Sequence, residues 1–149
     1  MEPIVMRAAT AADLPAIETL LRDAALPTDG VADIITHDSS DFVVAEQGGA
    51  VVGGGALEVV GRDALLRSVV VRDDARSAGV GRLVVQHLLE DARRRGLTSV
   101  YLLTTTAEAW FPRFGFARVG RTSVPGHIAD TWEFKTGCAD TAVAMVRRC

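Results

Sequence analysis

Arg76, Gly79 and Gly81 form the spacing in this chain with the clearest chemical use. They stand between an apolar run, Leu65 to Val71, and a stretch patterned as a helix to about Arg94. The amides of a helix's first turn have no partner inside the helix and carry the positive end of its dipole, so an anion can rest on them. Glycines let a ligand approach the backbone closely, and Arg76 and Arg82 can add charge-assisted hydrogen bonds. A Walker loop needs Gly-Lys-Ser/Thr at the helix start, where this chain has Gly81-Arg82-Leu83. A Rossmann turn needs a third small residue, and Arg82, Leu83 and Val84 follow Gly81 instead. What is left is Arg-x-x-Gly-x-Gly behind a strand: a phosphate cradle, or a helix merely capped by a glycine turn.

A second set of residues can move protons or hold a charged substrate. Glu58 lies among Val and Leu, where partial desolvation raises a carboxyl toward a range useful for a general base; the plainer reading is an outward-facing edge residue. Glu133, in Thr131-Trp-Glu-Phe-Lys135, has the same two readings and ranks below Glu58. Arg67 interrupts an apolar strand, which is costly unless it is paired or reaches a cleft; Ser68 beside it points the other way by strand alternation. Arg113 and Arg121 are weaker alternatives to Arg67. His127 falls in a loop and titrates in a range suited to base work, although a loop histidine is usually a surface residue. His87 lies on the apolar side of the long helix, and His37 has no context.

The elements that position these residues follow from patterning. Ile4 to Ala8 reads as a strand, and Thr10 with Asp13 as an approximate capping box before a helix to about Ala24. Val31 to Thr36 reads as a short helix. Asp41 to Glu46 and Ala50 to Val60 read as a hairpin about Gly48-Gly49, with Gly53-Gly54-Gly55 marking a bulge or a close approach. The strand Leu65 to Val71, the helix with Val80, Leu83, Val84, Leu88 and Leu89 inward, and the strand Ser99 to Leu103 come next. A short helix over Ala107 to Arg113, a strand to about Gly120, a last strand over Thr131 to Lys135 and a terminal helix over Asp140 to Arg148 complete the order. This is a mixed α/β (α+β) layer with a largely antiparallel sheet, read as one domain over residues 1–149 with 138–149 as a tail.

With 149 residues, 48% of them hydrophobic and 23% charged, the composition is that of a soluble globular protein. A net charge of −3 gives no basic footprint for nucleic acid. The N-terminus lacks the pattern of a signal peptide, and no run is long enough to span a membrane. Cys138 and Cys149 form neither a disulfide framework nor a C-x-x-C metal pair. The expectation is a cytoplasmic enzyme with no bound metal and no nucleic-acid or membrane partner.

Arg76-x-x-Gly79-x-Gly81 after Val69-Val70-Val71, followed by Trp110-Phe-Pro-Arg-Phe114-Gly-Phe116, resembles the GNAT superfamily of N-acetyltransferases over roughly Ile4 to Lys135. Within it, Leu65-Leu-Arg-Ser-Val69, Leu102-Leu-Thr-Thr-Thr-Ala107 and the tail with Trp132, Cys138, Ala142 and Met145 are similar to arsenic-resistance N-acetyltransferases. The stretch LLTTTAEAWFPRFGF is also similar to N-acetylglutamate synthases. The resemblance implies a mixed sheet with a splayed cofactor strand and helices on both faces, with acetyl-CoA as co-substrate. Backbone of Val69, Val70 and Val71 would pair with the pantetheine arm, and backbone of Arg76, Ser77, Ala78, Gly79, Val80, Gly81 and Arg82 would hold the pyrophosphate. The acceptor would be the amine of a small molecule, an amino acid or an arsenical analogue, with Arg67, Ser68 and Arg121 as its binding residues and a C2 homodimer as the assembly.

The chemistry implied is acetyl transfer from a thioester to a neutral amine, with an amide near Val70 stabilising the carbonyl oxygen. The chain departs from the family at the proton donor: the position of the usual Tyr is Phe111, which has no hydroxyl. Tyr101, Thr104, Thr105, Thr106 or a water are the substitutes, and a thiol can also leave as thiolate unaided. Where some members carry a strand Glu, this chain has Leu65 and Leu66, so the base stays open, with Glu58 the first candidate and Glu133 and His127 behind it. Two thiols, Cys138 and Cys149, can bind trivalent arsenic; isolated tail cysteines are more often inert. A fold that binds acyl-CoA without turnover is the alternative from another class.

Overall fold

In the computed structural model, which describes residues 2–37, 40–137 and 140–149, Thr10 and Asp13 set the first helix. The Thr10 amide donates to Asp13 Oδ2 at 2.8 Å, and a 3-10 turn over Ala11–Asp13 feeds α1 (Leu14–Asp23), with Pro15 in its first turn. Arg7 on β1 (Ile4–Ala8) donates to Asp13 and to Glu46, fastening the helix start to the sheet. A short α2 (Val31–Thr36) follows.

Among the described residues the sheet has seven strands, in the order β1-β2-β3-β4-β5-β7-β6. They are β1, β2 (Asp41–Gln47), β3 (Ala50–Val60), β4 (Asp63–Val71), β5 (Ser99–Thr104), β6 (Ala117–Val119) and β7 (Val143–Arg148). Every neighbouring pair is antiparallel except β4 and β5. The expected mixed, largely antiparallel sheet is therefore present, with helices on both faces. On one face lies α3 (Val80–Arg94), burying Val80, Val84, Val85, Leu88, Leu89 and Ala92 against Val52, Leu57, Leu66 and Leu102. On the other face, α1 and α2 cover Phe42, Val44, Ala56 and Val70, and α4 (Gly126–Ala129) covers Leu65, Tyr101 and Ala144.

Gly53, Gly54 and Gly55 answer to close approach. A Cβ on Gly53 would sit 2.7 Å from Val80 Cγ1, and one on Gly55 2.8 Å from Val84 Cγ1. The helix thus lies directly on bare strand. Three strand glycines cost roughly 2–3 kcal/mol, while burying the apolar face of α3 contributes on the order of 10 kcal/mol before chain entropy. Packing wins, and it holds the start of α3 against the end of β4.

Several expectations are corrected. Thr131 to Lys135 is not a strand: Trp132 opens a helical turn that continues as a π-helix over Glu133–Gly137, with the Lys135 amide donating to the Thr131 carbonyl at 3.0 Å. The alternation of Trp132, Glu133 and Phe134 imitated a strand, yet Glu133 and Phe134 are both buried. The terminal helix expected over Asp140 to Arg148 is instead β7, which is covered on both faces: Met145 joins the α3 side and Ala144 the α4 side. A short apolar run fits either state by pattern alone, and pairing with β5 and β6 decided it. Met145 and Ala144 of the tail thus face the chain's own core. The helix expected over Ala107 to Arg113 reduces to a 3-10 turn, Phe111–Phe114. His87 is exposed rather than buried, and Leu83 is 39% exposed.

Candidate active site

The parallel seam between β4 and β5 is short. Only Asp63, Ala64 and Leu65 register with Ser99, Val100 and Tyr101, and from Leu66 onward the two strands part. The parting leaves β4 backbone without a strand neighbour on that side, the arrangement that accepts an extended ligand as an added strand. Within the gap β4 carries a bulge. Gly54 faces Val70 and Ala56 faces Arg67, so Ser68 and Val69 together oppose Gly55. Ser68 takes φ +60°, a left-handed conformation that costs a non-glycine residue about 1–2 kcal/mol. The extra residue shifts the alternation by one. Val69 and Val71 consequently pack toward α3, and Val70 toward α1 and α2.

Beyond β4, a 3-10 turn over Asp73–Ala78 leads to Gly79, whose φ of +76° reverses the chain into α3. Among the described residues no side chain caps this helix start, and its first turn holds no acid. The Leu83 amide makes the first helical bond, to the Gly79 carbonyl at 3.2 Å, so the amides of Val80, Gly81 and Arg82 precede the ladder. Arg76 stands beside them, 63% exposed and paired with Asp73 at 3.0 Å. A pair that exposed contributes little, so its guanidinium can turn to a phosphate. The indole of Trp110 lies 3.5 Å from where a Gly81 Cβ would be, walling the same corner.

A second constellation lies on the opposite sheet face, between the α1–α2 layer and the turn after α4. Arg67 is 4% exposed. Its Nη1 donates to Glu58 Oε1 at 3.2 Å, its Nη2 to the Asp29 carbonyl, and its Nε reaches Ser68 Oγ at 3.4 Å. The guanidinium lies 5.7 Å from the centre of the Trp132 ring. Arg67 is thus neither the solvent-facing Arg of plain alternation nor free in an open cleft; it joins three segments. Glu133 sits in the same group, 6% exposed, and its Oε2 has no hydrogen-bond donor among the described residues. Burial pushes the Glu133 carboxyl up to about 7; Arg67 opposes that rise and Glu58 adds to it.

The remaining expected residues are placed elsewhere. Thr104 ends β5, and its Oγ1 accepts the Ala107 amide at 2.9 Å. Arg121 donates to the carbonyls of Phe134, Asp140 and Ala142, binding the chain before β7 to the turn after β6. Arg113 donates to the Trp110 carbonyl, and Tyr101 is buried on the α4 side. His127 Nε2 lies 2.7 Å from Asp63 Oδ2. Asp63 opens β4, about 16 Å along the strand from the bulge, so this pair is remote from it. Cys149 is exposed, and Cys138 lies outside the described residues. Patterning ranked Glu133 below Glu58, and the roles of Trp132 and the Asp29 carbonyl had no signal at all.

Residues 38–118 match the Acetyltransferase (GNAT) domain family. A Mycobacterium tuberculosis protein named amino-acid acetyltransferase is 35% identical over 134 residues, spanning 86% of this chain and 76% of that one. A crystal structure of a Mycobacterium tuberculosis protein in complex with CoA superposes with a TM-score of 0.81 at 27% identity, covering 97% of this chain and 99% of that one. N-acetylglutamate synthase from Neisseria gonorrhoeae, complexed with CoA and L-arginine, shares the fold at a TM-score of 0.81 and 22% identity; there this chain spans 34% of the longer protein. Parted strands, a bulge and an uncapped helix start thus occur in a chain that belongs to the GNAT acetyltransferase family.

Proposed function

We propose that this chain transfers acetyl from acetyl-CoA to the α-amine of a free amino acid, by direct attack in a ternary complex. The observation that carries the reading is the parting of β4 from β5 after three register pairs, beside the uncapped start of α3. The open backbone over Val69 to Val71 suits a pantetheine arm, and the turn from Arg76 to Arg82 suits a diphosphate. An amide near Val70 serves as donor to the thioester oxygen as charge builds there. Thr104, whose oxygen already accepts a backbone amide, keeps its own O–H to offer the departing thiolate.

On the acceptor side, Arg67 and Glu58 match the two charges of a zwitterion. Arg67 has five N–H donors and uses three on Glu58, Ser68 and Asp29, which leaves two for a carboxylate. Glu58, with its side chain 26% exposed, faces the ammonium. The relatives named amino-acid acetyltransferase support an acceptor of this class. Glutamate, as in an N-acetylglutamate synthase, and arsenical amino-acid analogues are the finer candidates.

Calorimetry with CoA, then a free-thiol assay over the common amino acids and an arsenical analogue, tests the proposal. Micromolar CoA binding with turnover on one or a few amino acids is expected. Tight CoA binding without turnover on the whole panel would leave an acyl-CoA sensor in its place, and no CoA binding would remove both readings.

A further inference from the structure

We propose that Glu133 is the residue that takes the proton from the acceptor's ammonium. The inference rests on the transferase reading and adds the catalytic group that the fold itself leaves unnamed. Three observations converge on it. Glu133 comes from a separate segment, the π-wound turn after α4, lies near enough to Arg67 and Glu58 to feel both charges, and is 6% exposed. Its Oε2 is buried with no donor among the described residues, which leaves it a lone pair to offer a ligand's N–H. Arg67 does not satisfy it: the guanidinium is bonded to Glu58, Ser68 and the Asp29 carbonyl instead.

The neighbouring carboxylate is already engaged. Glu58 Oε1 accepts from Arg67 Nη1 at 3.2 Å. Glu133 instead has a carboxyl raised to about 7 by burial, matched to proton transfer near neutrality. The charged groups around it are Arg67 from β4 and Glu58 from β3. His127, on the adjoining α4, is engaged by Asp63, and Lys135 on its own turn by Asp130 at 3.6 Å.

The step balances without another reactant. An α-ammonium is mostly protonated at pH 7. The Glu133 carboxylate takes one proton and becomes a carboxylic acid, and the freed nitrogen lone pair forms the C–N bond to the thioester carbon. The C–S bond breaks, the sulfur leaves with its electron pair, and it receives the second nitrogen proton as amide and free thiol form. Glu133 then returns its proton to water, so that R–NH3+ and acetyl-CoA give the amide, CoASH and H+.

The test is the pH dependence of kcat/KM on the best acceptor of the panel, for the wild type, Glu133→Gln and Glu133→Asp, with CoA affinity measured beside it. The wild type should lose activity as pH falls through about 7. Glu133→Gln should lower kcat about 10²–10³-fold with CoA affinity unchanged and remove that limb, and Glu133→Asp should restore part of kcat. An acceptor whose amine is already neutral at pH 7 should be turned over nearly equally by wild type and Glu133→Gln. Should Glu133→Gln fail to fold, this acceptor decides on the wild type alone: its rate should be flat across the limb. Within-threefold activity of Glu133→Gln on the ordinary acceptor, or a limb that persists with the neutral amine, overturns the inference and leaves the transferase standing. A wild type that binds no CoA overturns both.

Discussion

The two halves of the site are built from different materials. The corner where β4 parts from β5 is made of backbone: an unpaired strand edge, a bulge, and the first amides of α3. The group around Arg67 is made of side chains, gathered from β3, β4, the loop before α2 and the turn after α4. A backbone site tolerates changes of side chain and is sensitive to anything that moves the chain. A side-chain site behaves the other way. The division suits a transferase, whose donor is constant and whose acceptor differs from one relative to another.

The sharpest way to break this contrast is Arg67→Ala. It removes the buried guanidinium that Glu58 and the Asp29 carbonyl bond and that opposes the charge-destabilising burial of Glu133, and the expected loss is about 3 kcal/mol of stability, read by urea denaturation. In protein that remains folded, acceptor KM should rise well over tenfold while CoA affinity changes little; an unchanged acceptor KM removes the carboxylate clamp.

Next in size is a pH effect on stability. The Glu133 carboxyl is raised from 4.5 to about 7 in the fold, so the folded state holds its proton more tightly than the unfolded chain. Its contribution is complete below about 4.5 and is lost as pH rises through about 7, a decline on the order of 3 kcal/mol. Denaturation at pH 5 and pH 8 should show this decline in the wild type and not in Glu133→Gln. An equal decline in both would mean that Glu133 is not buried as described.

On the backbone side, Gly53→Ala places a Cβ 2.7 Å from Val80 Cγ1 and 3.0 Å from the Val70 carbonyl oxygen. It should cost about 2 kcal/mol through overpacking and weaken CoA by moving the start of α3, although Gly53 need touch no ligand. The smallest effect belongs to Arg76→Ala, which should weaken CoA about fivefold to tenfold and leave acceptor KM and stability alone, because its ion pair with Asp73 is exposed. A much larger loss would show that the corner relies on side chains after all.

The same division explains what could be read in advance. The corner was legible because Gly79 and Gly81 follow an apolar run at a fixed spacing, and the strands and helices from Ile4 to Thr104 fall close to their patterned positions. The bulge was not legible, because its left-handed residue is Ser68 and serine carries no such signal. Glu133 and Arg67 lie 66 positions apart in the chain, and only the fold joins them. The segment from Thr131 to Arg148 misled because its apolar runs are too short to distinguish strand from helix, and the sheet imposed the outcome.

Strand β7 has a further consequence for synthesis. It lies between β5 and β6, which precede it in the chain, and among the described residues β6 pairs with no other strand. While the polypeptide is emerging from the ribosome, β6 must wait as an orphan until residues 143–148 clear the exit tunnel and slot in beside it. That end of the sheet is then assembled in a single late event, and a truncation that removes this segment would leave a nascent chain with β5 and β6 unpaired along these edges.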